Sequence, residues 1–163
     1  MKKISSAIAA LALGLMSLGA QAANSLTSQG VTFASRAIDA DTLEFSILNA
    51  THATDNWFGA SFLKSFEIKS LGSEVTGATI VSGPAFSVDL NHGVAGNALG
   101  CGSGGTMGAC FSSSTPLALT DSMVWRIDFT SAGTLNFSLP HVKVQFLDNA
   151  RDTKKMGSLL SVD

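Results

Sequence analysis

Two cysteines, three histidines and a cluster of glycines are the residues through which this chain could do chemistry. Seven of its 16 glycines lie between Gly93 and Gly108. They belong to the stretch Asn91-His-Gly-Val-Ala-Gly-Asn-Ala-Leu-Gly-Cys101-Gly-Ser-Gly-Gly-Thr-Met-Gly-Ala-Cys110-Phe111, which also holds both cysteines. Glycine loops can cradle phosphate on their backbone N–H groups, but that use needs a Gly-Lys-Ser/Thr ending that opens a helix. Neither is present and the loop carries no net charge, so phosphate is not expected. Free thiolates would be nucleophiles or metal ligands. In an exported chain the pair is expected to be oxidised to a Cys101–Cys110 disulfide, a short ring worth about 2–3 kcal/mol. The bond would staple one loop without tying distant strands, and bonded cysteines attack nothing.

His52, His92 and His141 could serve as general bases among many serines. A nucleophile–base–acid relay is defined by geometry, and the Gly-x-Ser-x-Gly elbow of hydrolases is absent. His92, at the edge of the glycine loop, is expected to be a solvated loop residue. No Cys-x-x-Cys, His-x-x-x-His or His-Glu-x-x-His spacing supports zinc. Asp148, Asn149 and Asp152 are weak candidates for calcium, as are Asp39 and Asp41, since calcium accepts loop oxygens. Turn formation by Asp and Asn accounts for both groups better. No cofactor is expected, and the chain reads as non-enzymatic.

Aromatic stacking on sugars is the remaining chemistry. Trp125 alternates with Ile127 and Phe129 and belongs to a core. Trp57, beside Asp55 and Asn56, is the candidate for a sugar platform, although the lack of tyrosine weakens that reading, because Tyr and Trp are enriched together at binding surfaces. Two binding loops are therefore expected, one with Asn91, His92 and Asn97 and one with Asp55, Asn56 and Trp57.

The elements that must hold these loops are strands. Val31 and Phe33, then Leu43, Phe45 and Ile47, alternate with polar neighbours, as half-buried strands do. Met123, Trp125, Ile127 and Phe129 give the cleanest alternation, and Val142, Val144 and Phe146 repeat it. Leu135, Phe137 and Leu139 read as a further strand, Leu117 and Leu119 as a weak one, and Phe86, Val88 and Leu90 as a short one beside residues 79–82. The run 57–71 is ambiguous. As a strand it sets Phe58, Ala60, Phe62, Phe66 and Ile68 on one face, broken only by Lys64, with Ser61, Leu63, Ser65, Glu67 and Lys69 opposite. A short helical turn near Trp57 is also compatible. Residues 23–30 read as a polar lead-in, 148–155 as a charged turn and 157–162 as a last strand. Roughly eight to ten short strands, with turns every 8–12 residues and no helix, indicate an all-β antiparallel sandwich or jelly roll.

Lys2-Lys3, an apolar run over 8–18 and Ala20-Gln-Ala22 have the order of a secretory signal peptide cleaved after Ala22. The run is shorter than the ~20 residues that span a membrane. Residues 23–163 then form one domain, with 8 basic against 12 acidic side chains once the two leading lysines are removed. No basic stripe remains to bind nucleic acid, and no later run anchors the chain in a membrane. Asn49-Ala-Thr51 and Asn136-Phe-Ser138 match the glycosylation sequon and read as incidental.

Several stretches together resemble a known group. They are Asp41-Thr-Leu-Glu-Phe-Ser-Ile-Leu-Asn-Ala50, Asp55-Asn-Trp-Phe-Gly-Ala60, Phe66-Glu-Ile-Lys-Ser-Leu-Gly72, the glycine loop closed by Cys110-Phe111, Trp125-Arg-Ile-Asp-Phe129, and Pro140-His-Val-Lys-Val-Gln-Phe146 running to Gly157-Ser-Leu-Leu-Ser161. In this order, over about residues 30–161, they resemble the extracytoplasmic domain of PEP-CTERM proteins, which Gram-negative bacteria that make exopolysaccharide, biofilm or floc export. The resemblance implies an extracellular, periplasmic or outer-surface location, with extracellular polysaccharide or surface proteins as partners. Members of the group end in a Pro-Glu-Pro motif, an apolar helix and a basic tail. This sequence stops at Val162-Asp163, where that signal would begin, and is expected to be a tail-less relative or a domain cut before the tail. Exosortase processing is not carried over, and no catalytic residues are transferred.

Overall fold

The computed structural model describes residues 24–96, 99–103, 108–138, 140–151 and 154–159. The expected signal peptide, Asn97, Leu139, Asp152 and residues 160–163 lie outside them. The described chain is all-β: two five-stranded antiparallel sheets pack face to face as a sandwich, and a two-stranded hairpin outside both ladders packs against the second sheet. One sheet has the order β1 (Asn24–Ser28), β2 (Val31–Ala37), β3 (Thr42–Leu48), β10 (Ser122–Ser131), β5 (Val75–Ser82). The other has β12 (Lys154–Leu159), β11 (His141–Leu147), β4 (Phe62–Lys69), β9 (Ala109–Ala118), β6 (Ser87–Asp89). The hairpin pairs β7 (Gly93–Val94) with β8 (Cys101–Ser103).

Unbroken alternation explains four of these strands. The expected inward sets of β2, β3, β10 and β11 are all buried, with polar neighbours turned outward along β2, β3 and β10. The core is aromatic. Phe45 stacks with Trp125 at 6.0 Å and lies 5.1 Å from Phe66, which stacks with Phe111 at 4.7 Å. The Trp125 indole N–H donates to the Pro84 carbonyl at 3.0 Å, so burial of the ring strands no donor. Across the outer face of the first sheet Glu44 accepts from Arg36 at 2.7 Å and from Arg126 at 3.0 Å.

Other strands depart from the pattern for identifiable reasons. Residues 24–28 are strand β1, because Gln29 and Gly30 take φ of 48° and 80° and close a two-residue hairpin onto β2. In β4 the register against both neighbours skips Lys64. This bulge reverses the parity of what precedes it, so Leu63 enters the core, and the half-buried Phe62 does not take the inward place expected for it. The lysine that broke the apolar face is thereby expelled, and its Nζ donates to the carbonyls of Ser113 and Ser114. Residues 132–138 form a loop where a strand was expected. Phe137 still packs, 5.8 Å from Phe129, while Asn136 N–H donates to Leu71 O. Strand β9 starts at Ala109, so Cys110 and Phe111 belong to the sheet and not to the loop.

Candidate functional site: the stapled glycine loop and the polar face beneath it

On a strand with one face in the core, the opposite side chains ordinarily meet water. Ser65 and Glu67 of β4 and Gln145 of β11 occupy such outward positions, yet all three are buried, Glu67 to 1% exposure. The cover is the described part of the glycine loop before β9, residues 91–96 and 99–103, which packs on the outer face of the second sheet. It is laid down by backbone hydrogen bonds. Val94 N–H donates to Glu67 Oε2 at 3.1 Å. Gly100 N–H donates to Gln145 Oε1 at 2.7 Å, and Gln145 Nε2 donates to Ala95 O at 3.4 Å. Within the cover, Ala95 N–H donates to Gly100 O at 2.9 Å.

Glycine is required where the cover touches the sheet. A Cβ on Gly93 would sit 2.8 Å from Glu67 Oε2, and one on Gly108 would collide with the backbone of Ile68 and Lys69. The disulfide joins the cover to the sheet it covers, with Cys101 in β8 and Cys110 in β9. The paired cysteines are as expected. The expectation that the bond staples one loop alone is corrected: Cys110 lies in β9, so the bond fastens the loop to the sheet as a third layer.

A buried carboxylate needs counter-charge and donors. Glu67 has the ammonium groups of Lys69 at 3.6 Å and Lys143 at 3.9 Å, one toward each oxygen. His141 follows on the same face, directly across from Lys69. Burial first, then the charges of Lys69 and Lys143, hold its pKa below the usual 6.5, against an opposing pull from Glu67.

At the rim of the loop His92 Nδ1 lies 3.0 Å from Asp89 Oδ2. Asp89 Oδ1 accepts from the N–H groups of Asn91 and His92. Burial works to raise the Asp89 pKa, but these hydrogen bonds and the histidine outweigh it and hold the carboxyl below its usual range. A second His–Asp pair comes from residues distant in sequence: His52 Nδ1 is 3.3 Å from Asp121 Oδ1. Thr51 Oγ1 donates to that same oxygen and lies 3.1 Å from that same ring nitrogen. A catalytic relay puts the acid on one imidazole nitrogen and the hydroxyl on the other. Here both share one nitrogen, so Thr51 is not activated by this arrangement.

The second expected binding loop is reordered. Asp55–Trp57 is one turn of 3₁₀ helix, as the alternative reading allowed. Trp57 is fully buried, edge-on to Phe33 at 5.8 Å and to Phe146 at 5.2 Å. It therefore cannot stack on a sugar. The two polar residues before it, Asp55 and Asn56, suggest a surface position, but a turn this tight aims adjacent side chains in different directions. Phe58, next in the chain, is 75% exposed, so the aromatic that faces water is one residue away from the expected one. Asp55 and Asn56 remain exposed beside it.

Of the loop oxygens considered for calcium, those of Asp39, Asp148 and Asn149 are engaged within their own turns, and Asp152 lies outside the described residues. Asp39 Oδ1 accepts from the N–H groups of Asp41 and Thr42, which lowers its pKa. Asn149 donates to Asp148 and accepts from Arg151 N–H. Among the described residues no group of three or more acidic, histidine or cysteine side chains is placed to hold a metal ion, and no helix is long and apolar enough to cross a membrane. Comparison with known proteins gives no match, whether to a protein-family model, a curated protein or a solved structure.

Proposed function

We propose that this chain is an exported, non-enzymatic interaction module of the cell surface or extracellular matrix, of the kind that biofilm-forming bacteria secrete with their polysaccharide. The observation that carries the reading is the disulfide-held cover. An oxidised cysteine pair suits an exported protein, and here it fixes the shape of a surface and exposes no nucleophile. The leader-like N-terminus and the resemblance to PEP-CTERM domains support the same location. Fractionating a producing culture tests it. The protein is expected outside the cytoplasm, with the matrix material and with both thiols oxidised; recovery from the cytoplasm with free thiols contradicts the reading.

A second reading, a carbohydrate-binding module, is favoured by Phe58, an almost bare ring beside exposed Asp55 and Asn56. Rings of this kind stack on sugar faces while neighbouring polar groups bond the hydroxyls. On a glycan array the wild type is expected to bind polysaccharide and Phe58→Ala to lose it. Absence of binding in both forms eliminates the sugar reading.

A further inference from the structure

We infer that Asn136 is an acceptor for an N-linked glycan, and that the chain's other sequon, at Asn49, is not. The modification requires Asn-x-Ser/Thr, with any residue but proline between, on a surface loop of an exported chain. Asn49-Ala-Thr51 and Asn136-Phe-Ser138 both satisfy the sequence. The structure separates them.

Within a paired strand, where alternation would put it, Asn136 would be out of reach of a modifying enzyme. Residues 132–138 are instead a loop between β10 and β11, and Asn136 and Ser138 are both exposed. Phe137 between them is the anchor, 6% exposed and packed on Phe129. Asn136 Oδ1 accepts from the Ser138 N–H at 2.9 Å and from the Ser138 hydroxyl at 2.6 Å. These bonds orient the amide by its oxygen. Nδ2, the atom that takes the sugar, has no partner among the described residues.

Asn49 has the opposite arrangement. Its Nδ2 donates to Gly30 O at 2.8 Å, and its backbone N–H donates to Asp121 O at 2.8 Å. The Thr51 hydroxyl, which the sequon needs, donates to Asp121 Oδ1. To present this amide the turn would have to give up all three bonds, whereas Asn136 presents its nitrogen unengaged.

The co-substrate is an oligosaccharide carried on a lipid diphosphate. Nδ2 bonds to the anomeric carbon of the sugar and loses one proton. The carbon–oxygen bond to the diphosphate breaks, and the lipid diphosphate leaves with the electron pair. The glycan stands at the end of the sandwich where β4 finishes, because Asn136 N–H bonds Leu71 O. Phe58 lies before β4 begins, at the other end, and stays uncovered. The inference rests on the export reading, because such donors are used on the outer side of the membrane.

Peptide mapping by mass spectrometry, on protein recovered from outside the cytoplasm of producing cells, tests it. Trypsin releases Asn136 in peptide 127–143 and Asn49 in peptide 37–64. A glycan mass is expected on 127–143, fragmentation placing it on Asn136, and none on 37–64. Ser138→Ala is expected to abolish it and Ser138→Thr to retain it, with circular dichroism verifying the fold of both. Retention of the chain in the cytoplasm would contradict the location and this inference with it. An exported chain bare at 127–143, equal occupancy of 37–64, or a modification that survives Ser138→Ala would overturn the inference alone.

Discussion

At the scale of single residues, Glu67 does most to hold the outer face of the second sheet together. It accepts the Val94 N–H and faces two ammonium groups while almost wholly removed from water. Glu67→Ala is expected to cost about 1–3 kcal/mol in urea denaturation, the cost of leaving a buried donor unsatisfied. Glu67→Gln keeps an acceptor and is expected to cost less. Gly108→Ala is expected to cost about 1–3 kcal/mol, because the obstacle is backbone and cannot swing aside. His141 gives the fold a pH dependence of definite sign. Its folded pKa is lowered, so below about 6.5, where the unfolded chain protonates, the unfolded state binds more protons than the folded one. Stability then falls as pH falls. Above about 6.5 the histidine is neutral in both states and contributes no slope. Stability curves between pH 7 and 5 are expected to flatten in His141→Gln; an unchanged slope would assign the effect elsewhere. Asp89 acts in a more acidic window. Its pKa is lowered too, so its contribution is present above the ordinary carboxylate value and is lost as pH falls through the folded one.

At the scale of elements, the loop and β9 are one unit because of the disulfide. Cys101→Ser/Cys110→Ser is expected to destabilise by about 2–3 kcal/mol, and the intact mass of the wild type should be about two daltons below that of the dithiol, one hydrogen for each sulfur. The strands that sequence reveals here are those whose alternation is uninterrupted: β2, β3, β10 and β11 keep their inward residues along their whole length. Where the chain changes parity, pattern misleads. One bulge at Lys64 exchanges Leu63 for Phe62, and a Gln-Gly hairpin hides β1 because the usual Asn or Asp is missing. The cover was illegible for another reason. Ser65, Glu67 and Gln145 are the residues an outer face would carry whether water or a loop lay on it. Only the density of glycine hinted at close approach. Polar neighbours do not reveal where Trp57 lies, because a 3₁₀ turn separates Asp55 and Asn56 at the surface from Trp57 in the core.

At the scale of the whole molecule, the protein has three layers: two sheets around an aromatic core, and a polar outer face closed by a disulfide-held loop. The two layers of packing should respond differently to substitution. Trp57→Ala empties the junction between Phe33 and Phe146 and is expected to cost about 3–5 kcal/mol, while Phe58→Ala, one residue on, is expected to lie within about 0.5 kcal/mol of wild type. Thermal or urea melts of the two variants, side by side, separate core from surface. The third layer carries the central claim, that the glycine loop is built for shape and lies closed on the sheet. Hydrogen exchange at Val94 and Gly100 in the oxidised wild type and in Cys101→Ser/Cys110→Ser is the direct test. These amides donate to Glu67 and Gln145, so slow exchange is expected in the wild type and accelerated exchange in the variant, with β10 and β11 unchanged. Fast exchange at both amides in the wild type would contradict the closed cover.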